Sequence, residues 1–383
     1  MNYRKLGKTE MFASEVGLGC EYFSKATPEE SKAMVDEAAK AGMNIIDVFM
    51  SDPVVRSKLG DAVAPYREKM LLQGHVGAAW VNGQYLCSRD LAVCKEFVAD
   101  FLHRFHTDYI DIGMLHYIDT KEEWQKALDN GILDYMNEQK RLGVFKCLGV
   151  STHNAVIAQT MAKTGWFDVI MFSVSPLFDL VLPEIDTFFE MPEEEAYPTE
   201  VRIDPERIAF YQLCEEMGVS ITVMKTLAAG SLLDASDSPF GSAMTVPQCI
   251  QYALDRPGVA SALIGCKNVE EVRVAASFAE ASEAECDYHG ILSQIRGDQI
   301  KVCMYCNHCL PCPVHIDIAA TTRLLDTAKN KGWTPELQQA YDALNVKASA
   351  CIACGHCVRR CPFAIDVIAN MEEAVQMFEK SIE

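Results

Sequence analysis

The chain holds 383 residues, 49% of them hydrophobic and 23% charged, a balance that excludes a mostly disordered chain and leaves material for a sizeable core. A single core usually stops growing below this length, so a barrel-sized domain with a small satellite is expected. The formal net charge of −20 opposes a polyphosphate backbone and an anionic membrane surface, and no cluster of Lys and Arg stands against it, which argues against nucleic-acid and membrane partners.

The N-terminal stretch MNYRKLGKTEMF lacks the apolar segment of a secretory signal, and no run of about eighteen apolar residues follows, so the chain is read as cytoplasmic. From residue 15 to 282, short apolar runs alternate with amphipathic stretches, the pattern of repeated strand–helix units. The predicted strands are EVGLGC (15–20), MNIIDV (43–48), MLLQGHV (70–76), IDIGMLH (110–116), VFKCLGVS (144–151), VIMFSVS (169–175), SITVMKT (220–226) and SALIGC (261–266). Each is nearly continuously apolar, as a strand covered on both faces must be. Eight parallel units predict an α/β architecture closed as a (β/α)8 TIM barrel, with an open doubly wound sheet as the alternative. Polar or reactive residues stand at the strand ends: Cys20, Asp47, His75, His116, Ser151, Ser175, Lys225 and Gly265. In such barrels that end forms the active-site face. The long acidic connection after the sixth strand, 181–206, is expected to act as a lid or wall, or else to be a surface excursion. Trp80, Gln84 and Tyr85, beyond His75, are expected to shape the substrate pocket.

Eight cysteines crowd the C-terminal part: Cys303, Cys306, Cys309 and Cys312 before Pro313, then Cys351, Cys354, Cys357 and Cys361 before Pro362. Both groups contain C-x2-C-x2-C, a spacing that lets a tight loop turn several thiolates toward one iron-sulfur cluster, so two [4Fe-4S] clusters are expected. The first group has two residues before its last cysteine where the second has three. Zinc sites with four cysteine ligands are the alternative, but they usually need only two C-x2-C pairs at wider separation. Disulfides are disfavoured in a reducing compartment. Apolar residues between the groups recur at helical spacing, which predicts a helical insert. The other eight cysteines, from Cys20 to Cys286, are scattered and read as buried core thiols.

The motifs RKLGKTEMFASEVGLGC, NIIDV, TDYIDIGMLH, LGVSTHN, ITVMKTLAAGSLL and SALIGCKNVEEV together resemble the aldo-keto reductase barrel across residues 1–282. Residues 283–383 resemble a mainly helical, ferredoxin-like domain with two clusters, and the combination is similar to the iron-sulfur-containing branch of that superfamily. The ferredoxin resemblance implies that Cys312 and Cys361 are exchanged between the clusters. Aldo-keto reductases use an Asp, Tyr, Lys and His tetrad in which the tyrosine protonates a carbonyl while nicotinamide delivers hydride. Asp47 and His116 match the family's Asp and His. Asp52 falls at the tyrosine position and His75 at the lysine position. The resemblance therefore implies an acid–base site rebuilt from Asp47, Asp52, His75 and His116.

For NADPH the resemblance implies contacts from Ser151, Thr152, Lys225, Gly265, Lys267 and Glu270, with Lys267 at a 2′-phosphate and Glu270 at the adenine edge. Thr152 and Ala275 stand where the family has asparagines. The expected function is a cytoplasmic oxidoreductase acting on a small carbonyl or hydroxyl substrate, its clusters exchanging single electrons with a soluble carrier such as ferredoxin or flavodoxin. Coupling hydride to one-electron clusters needs an intermediary such as a flavin or a radical, and no evident flavin motif is present. The alternative is a non-catalytic barrel that docks another redox enzyme.

Overall fold

The structure, a computed structural model, describes residues 1–181, 202–238, 240–292, 303, 309–361 and 365–379. All eight expected strands form, as β1 (Val16–Gly19), β2 (Ile45–Val48), β3 (Leu71–Val76), β4 (Ile110–Leu115), β5 (Phe145–Thr152), β6 (Val169–Ser173), β7 (Ser220–Met224) and β8 (Val259–Gly265). Each pairs in parallel with its chain neighbours, and β8 returns to β1 to close the barrel. The apolar runs follow from that closure, because one face of every strand meets the barrel interior and the other meets the helices.

The helices start where short polar side chains can satisfy first-turn amides. Thr27 and Thr245 form capping boxes with Glu30 and Gln248, while Asp52, Asp90, Asn154 and Asp204 accept from the amides just after them. A hairpin, Tyr3–Lys5 with Phe12–Ser14, precedes β1 and sends Leu6 and Ala13 into a buried cluster with Ile45, Ile112, Cys147 and Val169. Apolar side chains thus fill that part of the barrel, and polar groups collect at the opposite, C-terminal strand ends. No helix among the described residues is long and apolar enough to cross a membrane.

Two compact units result, one of Met1–Trp80 with Cys87–Asp298, the other of Val81–Leu86 with Gln299–Glu383. The sequence boundary at 282/283 and this one differ because Tyr288 packs on Tyr252, ring centroids 5.2 Å apart, and its hydroxyl donates to Asp255 Oδ2 at 2.7 Å. The second unit contains the helices Ile318–Lys331, Pro335–Asp342 and Val367–Phe378, so the segment between the cysteine groups is helical as expected. Its core includes Ile316, Leu325, Tyr341, Met371 and Phe378, with the Tyr341 and Phe378 rings stacked at 4.5 Å. Of the scattered cysteines, Cys20, Cys94, Cys147, Cys214, Cys249, Cys266 and Cys286 are buried and Cys87 is half-buried. Most of the connection at 181–206 lies outside the described residues.

Gly60 lies against the backbone at the end of a neighbouring helix. A Cβ there would fall on the carbonyl oxygen of Arg104 at the end of the helix Leu91–Arg104, backbone that cannot rotate away. Gly60→Ala is therefore expected to destabilise the barrel by about 1–3 kcal/mol, read as a lower midpoint in chemical denaturation at unchanged slope.

Candidate active site and cluster cavity

Side chains alternate along a strand, so Gln73 and His75 lie on the same face of β3. Asp47 of β2 is in register with Gln73, and His116 directly follows β4, the next strand round. These placements bring together a continuous buried chain of hydrogen bonds. Thr222 Oγ1 donates to Gln73 Oε1 (3.0 Å), Gln73 Nε2 donates to Asp47 Oδ1 (2.7 Å), His75 Nε2 meets the same oxygen at 2.8 Å, and His75 Nδ1 meets His116 Nδ1 at 2.7 Å. None of the five side chains belongs to a residue more than 4% exposed.

The proton positions follow from donor and acceptor capacity. An ionised Asp47 only accepts, so His75 carries hydrogen on Nε2. With His75 neutral, its Nδ1 is a lone pair and His116 must donate from Nδ1, which leaves the His116 Nε2 lone pair as the basic position. Adding one proton to His75 reverses the middle bond: His75 Nδ1 donates, His116 Nδ1 accepts, and His116 then carries hydrogen on Nε2. His116 itself never needs to be charged. Burial, aided by His75, Arg89, His153 and Lys225, indeed holds its pKa well below the ordinary 6.5.

Asp52 is not part of this chain. Its carboxylate accepts from the Val54 amide at 2.8 Å and caps the helix Pro53–Val63. Cys20, at the end of β1, is fully buried, and burial with the nearby Asp47 carboxylate pushes its thiol well up, so it is held neutral.

A second cluster, missed in the sequence, lies at the ends of β5 and β7. His153 Nδ1 meets Asp119 Oδ2 at 2.9 Å, its amide donates to Asp119 Oδ1 at 2.7 Å, and Thr152 Oγ1 donates to the same oxygen at 3.0 Å. Lys225 Nζ donates to His153 Nε2 at 2.6 Å, which assigns His153 as neutral with its proton on Nδ1. Burial first, then the charge of Lys225, lowers the His153 pKa. Burial alone would raise the Asp119 carboxyl, but the charge and hydrogen bonds of His153 and the hydroxyl of Thr152 outweigh it and hold it below the usual range. Tyr117 stands between the two clusters, its ring centroid 6.2 Å from His116 and 5.6 Å from His153. Arg89, ion-paired with Glu123 at 3.0 Å, grips the carbonyls of His116 and Tyr117 at 2.8 and 2.6 Å. Tyr117 and Lys225 both adopt left-handed backbone, φ +56° and +62°, a conformation costing non-glycine residues on the order of 1–3 kcal/mol and concentrated at functional sites.

The residues expected to hold NADPH have partners within the chain. Ser151 Oγ accepts from the Tyr117 amide at 2.8 Å, Thr152 Oγ1 donates to Asp119 Oδ1, and Lys225 Nζ donates to His153 Nε2. A Cβ on Gly265 would meet the Glu21 carboxylate. Lys267 Nζ lies 5.4 Å from the centre of the Tyr22 ring, and Glu270 pairs with Arg273 at 3.3 Å.

In the second unit, a cavity is lined by Cys312, Cys351, Cys354 and Cys357, with Cys309 also at its wall and Pro311, Val314, Ile316, Val367 and Met371 supplying apolar surface. Soft thiolates in an apolar pocket fit an iron-sulfur cluster. Among the described residues no three His, Cys, Asp or Glu side chains close on a single-ion site. A cuboidal cluster instead takes each thiolate on a separate iron and needs its sulfurs spread around a cavity. Cys303 and Cys361 are half-buried in the same core, and Cys306 lies outside the described residues. Gln84 belongs to this unit: its Oε1 accepts from the Cys312 amide at 3.1 Å, and its Nε2 lies 2.5 Å from His315 Nδ1.

The profile of the Aldo/keto reductase family matches residues 15–249, well over half of the chain. The chain belongs to the aldo/keto reductase family. A 4Fe-4S dicluster domain matches residues 302–366, so this family barrel is joined to an iron-sulfur domain and the protein is an oxidoreductase. It is 28% identical over 297 residues to the uncharacterized oxidoreductase YqkF of Bacillus subtilis, covering 71% of this chain and 89% of that protein. The holo form of the aldo-keto reductase AKR11C1 from Bacillus halodurans shares its fold, with a TM-score of 0.61 and 22% identity over 78% of this chain and 97% of the other. The putative aldo-keto reductase PA4992 from Pseudomonas aeruginosa does so at a TM-score of 0.55 and 20% identity, over 72% and 96% of the two chains.

A pH dependence of stability follows. His116 and His153 have folded pKa values below the unfolded value of 6.5, so the unfolded chain binds protons that the folded site refuses. Their contribution is complete above pH 6.5 and is lost as pH falls. The melting temperature is expected to drop between pH 7 and pH 5, and His116→Gln to flatten that slope in the same thermal series.

Proposed function

We propose that this aldo/keto reductase interconverts a small carbonyl compound and its alcohol, with His116 Nε2 as the group that exchanges a proton with the substrate oxygen and His75 and Asp47 as its positioning and proton-storing partners. The observation that carries this reading is the hydrogen-bonded chain from Asp47 through His75 to His116. Protonating His75 makes His116 Nε2 a donor for reduction, and deprotonating it makes the same atom a base for oxidation, with the ionised Asp47 stabilising the charged state. Asp52, as a helix cap, is assigned no proton-transfer role.

Carbonyl reduction takes two electrons and two protons, one delivered to oxygen from His116 Nε2 and one to carbon from solvent water, and His75 is reprotonated from solvent. When bound, two [4Fe-4S] clusters would supply the electrons singly from a soluble carrier of the ferredoxin or flavodoxin class. On this reading no hydride step is needed. We assign Cys312 as the fourth ligand to the cluster of Cys351, Cys354 and Cys357, and Cys361 to the cluster of Cys303, Cys306 and Cys309, as the ferredoxin resemblance implies; Cys312 and Cys309 both line the cavity of Cys351, Cys354 and Cys357, which is compatible with that exchange.

Turnover of small aldehydes and ketones by anaerobically purified, cluster-loaded protein, driven by reduced methyl viologen, tests the reading. His116→Gln is expected to lower kcat by about 10²–10⁴-fold. Asp47→Asn should alter the pH–rate profile as well as the rate, because it removes the charge that holds the proton on His75. If the parent turns over carbonyls and both variants match it across the pH range, the proton-transfer assignment fails; a parent that turns over none supports the barrel as a docking surface. Cys312→Ser is expected to lower the iron content and alter the electron paramagnetic resonance spectrum of the reduced protein.

A further inference from the structure

A hairpin follows the barrel strand that carries His75, and its tip folds with the cluster unit. Its strands, Ala78–Val81 and Gln84–Cys87, form a two-stranded sheet of their own. The turn between them is Asn82–Gly83, with φ +52° and +75°. Two successive positive φ values at Asn-Gly are what a type I′ turn requires, and that turn fixes the register of the residues on either side of it. A lone two-stranded hairpin is only marginally stable in water, so its tip depends on what it meets. Residues Val81–Leu86 belong to the unit that holds the cluster cysteines.

Gln84, the first residue after the turn, meets the first cysteine group. A backbone N–H can only donate, so the side-chain atom that faces the Cys312 amide at 3.1 Å is Oε1, and Nε2 is left to donate to His315 Nδ1 at 2.5 Å. The His315 amide donates in turn to the Cys312 carbonyl at 3.0 Å, and Arg360, from the second cysteine group, donates to the Pro311 carbonyl at 3.1 Å. Both polar groups of the Cys312 backbone are thereby engaged, one of them by a side chain 228 residues distant in sequence. Cys312 is itself 8% exposed and lines the cavity shared with Cys351, Cys354 and Cys357.

The potential of an iron-sulfur cluster responds to N–H groups donated to its sulfurs and to charge close by. Such a donor stabilises the additional negative charge of the reduced cluster, which raises the potential. The Cys312 N–H belongs to a residue whose thiolate lines the cavity, and Gln84 Oε1 takes that N–H for itself. We propose that Gln84 is a positioning residue for the cluster that Cys312 ligates: it fixes the Cys312 backbone and withholds its N–H from the sulfurs, which keeps the reduction potential of that one cluster low. The proposal rests on the cluster cysteines, whichever of the two clusters Cys312 joins, and is independent of the carbonyl chemistry assigned to His116.

The test is a dithionite redox titration of the anaerobically purified, cluster-loaded full chain, followed by electron paramagnetic resonance, which reads both clusters without any substrate. Cys312→Ser identifies which signal belongs to the Cys312 cluster. Gln84→Leu, which removes the acceptor, is expected to raise the midpoint of that signal and leave the other in place. Gln84→Glu still accepts from the Cys312 amide but adds a negative charge, and is expected to lower the same midpoint. Iron content on the same samples separates tuning from loading: iron lost in Gln84→Leu and recovered in Gln84→Glu supports the positioning role. Unchanged midpoints at full iron content, a lowered midpoint in Gln84→Leu, a shift confined to the other cluster, or equal shifts of both overturn the proposal. Where Gln84→Leu does not fold, Gln84→Glu carries the test alone, and an unshifted midpoint there overturns it as well.

Discussion

The proton chain at the barrel mouth depends on one buried imidazole held between two partners. His75 contacts Asp47 with one ring nitrogen and His116 with the other, at 2.8 and 2.7 Å, and no other side-chain type could do both. A lysine there would donate to both partners and fix the proton direction permanently. An amide could make one contact in the right geometry and not the second. Imidazole alone can reverse the middle bond by taking up or losing a single proton. The requirement then propagates outward. Asp47 also accepts from Gln73, which accepts from Thr222, so the chain extends into the barrel core, where an unsupported polar group would be costly to bury.

The fold was almost fully legible in the sequence, because its signal is strong physics repeated eight times. A closed parallel barrel buries both faces of each strand, and runs such as MLLQGHV and SITVMKT record that directly. The helical insert between the cysteine groups was legible for the same reason, through its 3.6-residue period. The unit boundary was less so: Tyr288 shows nothing in the sequence of its packing on Tyr252, a contact made across many residues of chain.

The site was legible where position along a strand decides it and obscure where a side chain turns. Asp47, His75 and His116 could be read because each ends an apolar run. Asp52 could not be separated from them, since a helix-capping aspartate and a site aspartate look alike in sequence, and the Pro53 that follows it was the available sign of a cap. Asp119 and His153 were missed because they lie just beyond strand ends, in turns whose direction depends on tertiary contacts such as the grip of Arg89 on the His116 and Tyr117 carbonyls. The pair His153 and Asn154 directly after LGVST offered a signal only in hindsight of the strand's length. Gln84 illustrates the converse: its place after His75 suggested the pocket, whereas its amide serves the backbone of Cys312.

The proposed function links the chemistry of the barrel to that of the cluster domain. Family members that transfer hydride carry both electrons and one hydrogen to carbon in a single event, and a tyrosine need only complete the oxygen. A site fed one electron at a time has to manage charge on the substrate between the two electrons, and a proton must be ready at the oxygen without a full unit of charge sitting there permanently. In the proposed function a neutral imidazole backed by a second one would meet that demand, His75 taking up the proton beside Asp47 while His116 presents only a polarised N–H. The tyrosine and lysine of the hydride-transferring relatives would be poorly matched to it, since a phenol with an ordinary pKa of about 10 gives up its proton only under the influence of a permanent neighbouring cation. Under the proposed function, a histidine chain in place of that pair is coherent with a chain that carries its own cluster cysteines.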